Sequence, residues 1–239
     1  MSDRFEVAQR ALTALAGDES RLYQPFLGVL PVDGLSISTF GDLLPAETIS
    51  ASDAQAGRLD ELQFDLGEGP CWDALATRAP VLEPNIRERP TRAWPAFSAA
   101  IIADDLGALF AFPLLLGPLR IGAIDLYTSQ PRRLSDLNIR QAAGLATVVS
   151  RLVLARAFRL SESEGEGDTD ARTQFSRREV HQATGMVLAQ LGIPAPDALL
   201  VIKGHAFAVG RPVQEIAEEI IARRLSFSIN EKRIEGSDD

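Results

Sequence analysis

The segment SESEGEGDTDAR, from Ser161 to Arg172, holds no apolar residue before Ala171 and carries five acids. A segment of this composition has no face to bury. Gly165 and Gly167 also oppose its extension as a helix. Any core must therefore form on either side of it. The expected organisation is a domain over residues 1–160, a linker over 161–172, a second domain over 173–227 and a polar tail over 228–239.

After the linker, three amphipathic helices follow with little connecting sequence. Ser176 and Glu179 have capping-box spacing, and Val180, Ala183, Val187, Leu188 and Leu191 recur along one face until Gly192. Pro196-Asp197 opens a second helix with Leu199, Ile202, Ala206 and Val209 inward, closed by Gly210. Pro212 opens a third, with Val213, Ile216, Ala217, Ile220 and Ile221 inward. Small residues at Ala183, Gly185, Ala206 and Ala217 let the helix axes approach closely. Arg178, Ala183-Thr184-Gly185, Ala198, Ala206 and Ile216-Ala217 resemble the ANTAR family of transcription antitermination regulators. The resemblance covers about a quarter of the chain and implies an all-α three-helix bundle that binds RNA stem-loops. Thr184 departs from it, standing where the family commonly has lysine.

Before the linker the element types alternate. Phe5, Ala8, Leu12 and Leu15 predict a first helix, and GLSISTF (Gly34 to Phe40) and ETISAS (Glu47 to Ser52) alternate as paired strands. Arg58 to Gln63, Cys71 to Thr77 and Trp94 to Asp104 are expected to be helical, with a short strand from Pro80 to Glu83. Two apolar runs, Ala108 to Leu116 and Leu119 to Tyr127, meet at Gly117-Pro118 as a central hairpin. A long helix capped by Ser135 closes the domain. This order, with LGEGPCWDAL (Leu66 to Leu75), PVLEPNI (Pro80 to Ile86), Trp94, Phe97 and FAFPLLLGPLRIGAIDLY (Phe110 to Tyr127), resembles the GAF domain. The resemblance implies an α+β signal-sensing fold, a central antiparallel sheet with flanking helices.

Charge and rare residues narrow the function. With 24 Lys and Arg against 33 Asp and Glu, the net charge of -9 opposes general coating of nucleic acid, so RNA contact must be local. Both histidines, His181 and His205, lie after the linker, so the sensor domain offers no imidazole for haem, a metal cluster or a catalytic triad. No catalysis, metal site or cofactor is expected. GEGP at Gly67 to Pro70 lacks the Lys-Ser/Thr of a phosphate loop and reads as a turn into a helix. The single cysteine, Cys71, at a helix N-terminus, is open to a redox role that Glu68 and Asp73 oppose, or to plain burial. No apolar run reaches membrane-spanning length and the N-terminus reads as an amphipathic helix, so a cytoplasmic protein is expected.

A small-molecule pocket is expected between sheet and helices, lined by Cys71, Trp72, Trp94, Phe97, Leu109, Phe112 and Asp125. Its alternative is a closed core. On the C-terminal domain the expected RNA contacts are Arg178 and Thr184 by the resemblance, and Arg177, Gln182, Lys203 and Arg211 by helix geometry. Apolar steps of three and four in the first helix and in Ala142 to Leu160 have the spacing of a short coiled coil and predict a homodimer, with packing of both helices on their own sheet as the alternative. The function implied is a signal-responsive regulator that binds tandem hairpins in nascent RNA to cause antitermination. The alternatives are a DNA-binding repressor, disfavoured by Glu215, Glu218 and Glu219 on the third helix, or a protein-binding dimerisation module.

Overall fold

The computed structural model describes residues 3–41, 44, 46–88, 93–163, 178–230 and 233–238. The chain divides into two compact units, Met1–Phe175 and Ser176–Asp239. Among the described residues no single helix is long and apolar enough to cross a membrane.

The first unit is built on five strands: β1 (Gly34–Thr39), β2 (Glu47–Ala51), β3 (Val81–Glu83), β4 (Ala108–Leu116) and β5 (Leu119–Thr128). They pair antiparallel in the order β2-β1-β5-β4-β3. Leu116 faces Leu119, so Gly117-Pro118 is the whole turn between β4 and β5. Leu114 pairs with Gly122 and Leu115 with Arg120, which leaves Ile121 as the extra residue of a bulge.

Successive side chains of a strand point to opposite faces. Leu35 and Ile37 of β1, with Phe110, Phe112 and Leu114 of β4 and Ile124 and Leu126 of β5, form one apolar face. Three helices cover it: α1 (Asp3–Ala14), α2 (Gln24–Leu27) and α6 (Asp136–Ser163). They contribute Ala8, Leu12, Phe26, Ala142, Leu145 and Val149, all buried. At the start of α6, Ser135 Oγ accepts from Asn138 N and Asn138 Oδ1 accepts from Ser135 N, both at 3.2 Å, a reciprocal cap. Further along, Arg156 forks onto both carboxylate oxygens of Glu47 at 3.0 and 2.9 Å, tying α6 to β2.

The opposite face carries α3 (Ala54–Leu66), α4 (Pro70–Thr77) and α5 (Pro95–Ala100). α3 is longer than the sequence pattern suggests because Asp53 caps it, its Oδ1 accepting from Ala56 N at 2.9 Å. α5 is shorter than expected: Trp94 is its N-cap, and the chain turns away from Ile101 onward. The four-residue α2 was not predicted, being too short to show a period. α6 runs to Ser163, three residues into the expected linker, whose remainder (164–172) lies outside the described residues.

The second unit holds α7 (Arg178–Leu191), α8 (Ala195–Val209), α9 (Val213–Ile221), β6 (Leu225–Asn230) and β7 (Arg233–Asp238). Val180, Ala183, Val187, Ile202, Ala206, Ile216 and Ile220 form its core. Ser176, half of the expected capping box, lies outside the described residues. Leu188 and Val209, expected inward, are exposed. The unit is not all-α, and the stretch read as a polar tail is part of an antiparallel hairpin, β6 with β7. Alternation supplies the reason: in LSFSIN, Leu225 and Phe227 are buried against the helices while Ser228 is exposed. Gln190 Oε1 on α7 also accepts from Phe227 N at 3.0 Å.

Candidate functional site

The face under α3, α4 and α5 is not a plain core, because the chain places acids and amides in it. Asp60 and Gln63 lie one turn apart on α3 and are 0% and 2% exposed. Ser38 of β1 and Thr48 of β2 both donate to Asp60 Oδ2, Ser38 at 2.6 Å. Two hydroxyl donors on one oxygen favour the carboxylate form. Gln63 joins three elements. Its Nε2 donates to Asp125 Oδ2 on β5 at 3.1 Å, its Oε1 accepts from Cys71 N on α4 at 2.9 Å, and its main-chain oxygen accepts from Trp72 Nε1 at 2.8 Å.

The turn LGEGP makes that junction possible. Gly67, at φ 67°, closes α3, and Gly69, at φ 137°, opens α4. A Cβ on Gly69 would stand 2.5 Å from Gln63 Oε1, so only glycine lets the amide reach Cys71 N. The two acids of the same stretch hold α5. Glu68 Oε1 accepts from Phe97 N at 2.8 Å, and Asp73 Oδ2 accepts from Trp94 Nε1 at 3.0 Å.

Burial pushes the Asp125 carboxyl well above the usual carboxylate range, the neighbouring Asp60 charge adds to the rise, and the Gln63 N–H opposes it. The face therefore sets two acids close together and pushes the Asp125 carboxyl toward its protonated form. The Cys71 thiol is also pushed up, by burial first and then by Asp125 and Asp60. A buried thiol of that kind is neither a ready nucleophile nor a ready redox sensor.

Between β1, β5 and α3 these groups enclose a cavity of about 10 Å³ for a water-sized guest, room for about one water molecule. Ser36, Gln63, Asp125 and Tyr127 line it on the polar side, and Leu59, Phe97 and Leu109 on the apolar side. Tyr127 donates to Asp53 Oδ1 at 3.0 Å, so its hydroxyl is already engaged.

Of the residues expected to line a pocket, the structure brings Phe97, Leu109 and Asp125 together. Trp94 packs behind Phe97, with ring centroids 6.4 Å apart. Cys71 and Trp72 belong to an adjoining cluster with Phe40 and Phe64. Phe112 does not belong to the site: three positions from Leu109 on one strand, it points to the opposite face and packs against α1, α2 and α6. Ser36, Asp60, Gln63 and Tyr127 were missed. Their signal was present as buried polar positions, Ser36 and Ser38 alternating with Leu35 and Ile37, and Asp60 and Gln63 on the stripe of Ala56 and Leu59.

On the second unit, Gln182 is exposed and Lys203 half-buried. Thr184 is not available to RNA: it is buried and its hydroxyl donates to Val180 O at 2.7 Å, one turn back. Arg211 is exposed but held by two acids, through Nε to Glu215 Oε2 and Nη2 to Glu219 Oε1, each at 3.0 Å. Arg178 opens α7, and Arg177 lies outside the described residues. Among the described residues no group of three His, Cys, Asp or Glu is placed to hold a metal ion.

Comparison with solved structures places the first unit in a known fold. The GAF domain of a phosphoenolpyruvate-protein phosphotransferase from Coxiella burnetii is 12% identical, with a TM-score of 0.50 over 67% of this chain and 99% of that one. The corresponding domain from Acinetobacter is 12% identical, with a TM-score of 0.49 over 71% of this chain and 100% of that one. A free methionine-R-sulfoxide reductase from Neisseria meningitidis is 10% identical, with a TM-score of 0.43 over 65% of this chain and 89% of that one. No curated protein matches the chain. The family description "GAF domain" matches residues 6–153, more than half of the chain and all five strands of the sheet; the chain belongs to the GAF domain family.

Proposed function

We propose that the chain is a signal-responsive cytoplasmic regulator whose GAF domain reads a small molecule and whose C-terminal unit binds RNA hairpins to cause antitermination. The observation that carries the sensing half is the partly buried acid Asp125, which faces a cavity without a basic side chain among the described residues lining it. An acid withdrawn from water with no counter-charge costs stability, and such groups concentrate at functional sites. No catalytic step belongs to this reading.

Support for the RNA half comes from α8. Lys203 and Phe207 are four residues apart on one stripe, and Phe207 is 77% exposed. An exposed ring one turn from a cation suits stacking on an unpaired base beside a phosphate. A homodimer is part of the proposal, with a second copy along α1 and α6, where Val7 and Phe158 stand exposed. Gel shifts with paired hairpin RNA and with duplex DNA, each at several salt concentrations, test the output. Preference for RNA, a falling affinity with salt and a loss in Phe207→Ala are expected; equal binding of both nucleic acids, or of neither, overturns the RNA reading. A second reading, a protein-binding module, is favoured by Leu200 and Phe207, both exposed and seven residues apart on one stripe of α8. Self-association lost in Phe207→Ala without any RNA binding would establish it.

A further inference from the structure

Two polar groups in the cavity have an unused hydrogen-bonding position. Ser36 is 1% exposed, and among the described residues nothing hydrogen-bonds its hydroxyl. Asp125 is its direct cross-strand partner. Gln63 occupies Oδ2 of that carboxyl, and Oδ1 has no hydrogen-bond partner among the described residues. Side chains directly opposite on an antiparallel pair stand about 5 Å apart on the same face. A guest between them meets two acceptors at once.

We propose that this cavity is the subsite for a primary ammonium group, held by the Ser36 hydroxyl and the Asp125 carboxylate, with the attached carbon chain against Leu59, Phe97 and Leu109. This proposal rests on the sensing half of the function proposed above. Three features choose the ligand class. The space fits a head group about the size of one water, and –NH3+ is that size. The nearest charges are acids, with Asp60 behind Asp125 and no basic residue among the described lining, which repels carboxylates and phosphates and attracts a cation. The wall beyond the acids is aliphatic and aromatic, and α5, which carries Phe97, is clipped on by Glu68 and Asp73.

Binding moves one proton. Burial and Asp60 push the Asp125 carboxyl toward its protonated form, so an arriving ammonium displaces its proton to solvent and affinity rises with pH through the range in which Asp125 ionises. The other groups facing it are Asp60 and Gln63 of α3, Cys71 of α4, Ser36 of β1 and Tyr127 of β5.

The test is calorimetry and thermal melting of the full chain with propylammonium chloride, 1-propanol and sodium propionate at matched ionic strength. The expected result is binding and a raised Tm with the amine alone, with proton release measured in buffers of different ionisation enthalpy. Asp125→Asn and Ser36→Ala, both near-isosteric, should each weaken the amine about tenfold or more, the usual loss for a hydrogen bond to a charged group. Equal stabilisation by 1-propanol, with Asp125→Asn unaffected, overturns the ammonium assignment while the sensing reading stands. No response to the amine, or a response that both variants retain, also overturns it. Loss of sensing altogether shows separately, as RNA binding indifferent to every small molecule tried.

Discussion

The two faces of the sheet are built from the same strands to opposite ends. Toward α1, α2 and α6 the side chains are aliphatic and aromatic, and cohesion comes from area removed from water. Toward α3, α4 and α5 the same strands present Ser36, Ser38, Thr48 and Asp125, matched by Asp60 and Gln63. The first face makes the fold stable. The second spends part of that stability to keep an acid buried, which is the pattern expected where a site has been built into a core.

Four substitutions test that division, from the largest effect down. Phe110→Ala on the apolar face should cost about 3–5 kcal/mol in denaturant melts and leave small-molecule binding by the residual folded protein unchanged. Gln63→Ala strands the Cys71 N–H and removes the donor to Asp125, so a loss of about 2–3 kcal/mol is expected. It should come with faster amide exchange at Cys71 in hydrogen-exchange measurements. If Gln63→Ala melts like wild type, the network has no structural weight and the contrast between faces collapses.

Asp125→Asn should act in the other direction. The folded-state pKa of Asp125 is raised, so its contribution to stability is present below the unfolded value near pH 4 and is lost as pH rises toward the folded value. The asparagine variant lacks that loss. It should be more stable at pH 7, by on the order of 1 kcal/mol, and the gain should vanish below about pH 4. A gain independent of pH would mean that ionisation of Asp125 is not its cause. Ser38→Ala removes one donor to Asp60 Oδ2 and leaves Thr48 in place, so the expected cost is the smallest, about 0.5–1.5 kcal/mol in the same melts.

Legibility in the sequence followed the same division. The β4–β5 hairpin, the alternation in β1 and the apolar stripe of α6 were readable because burial on a regular element leaves a period. Phe112 was misassigned for want of the two-residue period: aromatic character suggested the pocket, but its parity with Phe110 put it on the other face. Gln63 stood as a polar position on the stripe of Ala56 and Leu59, but nothing local in the sequence pairs it with Asp125, which is 62 positions away. Thr184 was judged through a resemblance alone, yet a threonine in mid-helix can close its hydroxyl on the preceding turn, and this one does. The hairpin after α9 was hidden by the charged residues that follow Asn230 in the sequence, although Leu225 and Phe227 had the strand spacing.

The Gln63 side chain has one further consequence. Its amide cannot turn over, because Oε1 must face the Cys71 N–H and Nε2 must face Asp125. Hydrogen bonds in such a series polarise one another. When Asp125 gains a negative charge, it draws on the Gln63 amide hydrogens, the amide oxygen becomes richer in electrons, and its hold on the first turn of α4 tightens. The two bonds are thus coupled through the amide: a proton lost on a central strand gives a firmer seat to a helix on its other side, and a firmer seat favours that loss in return.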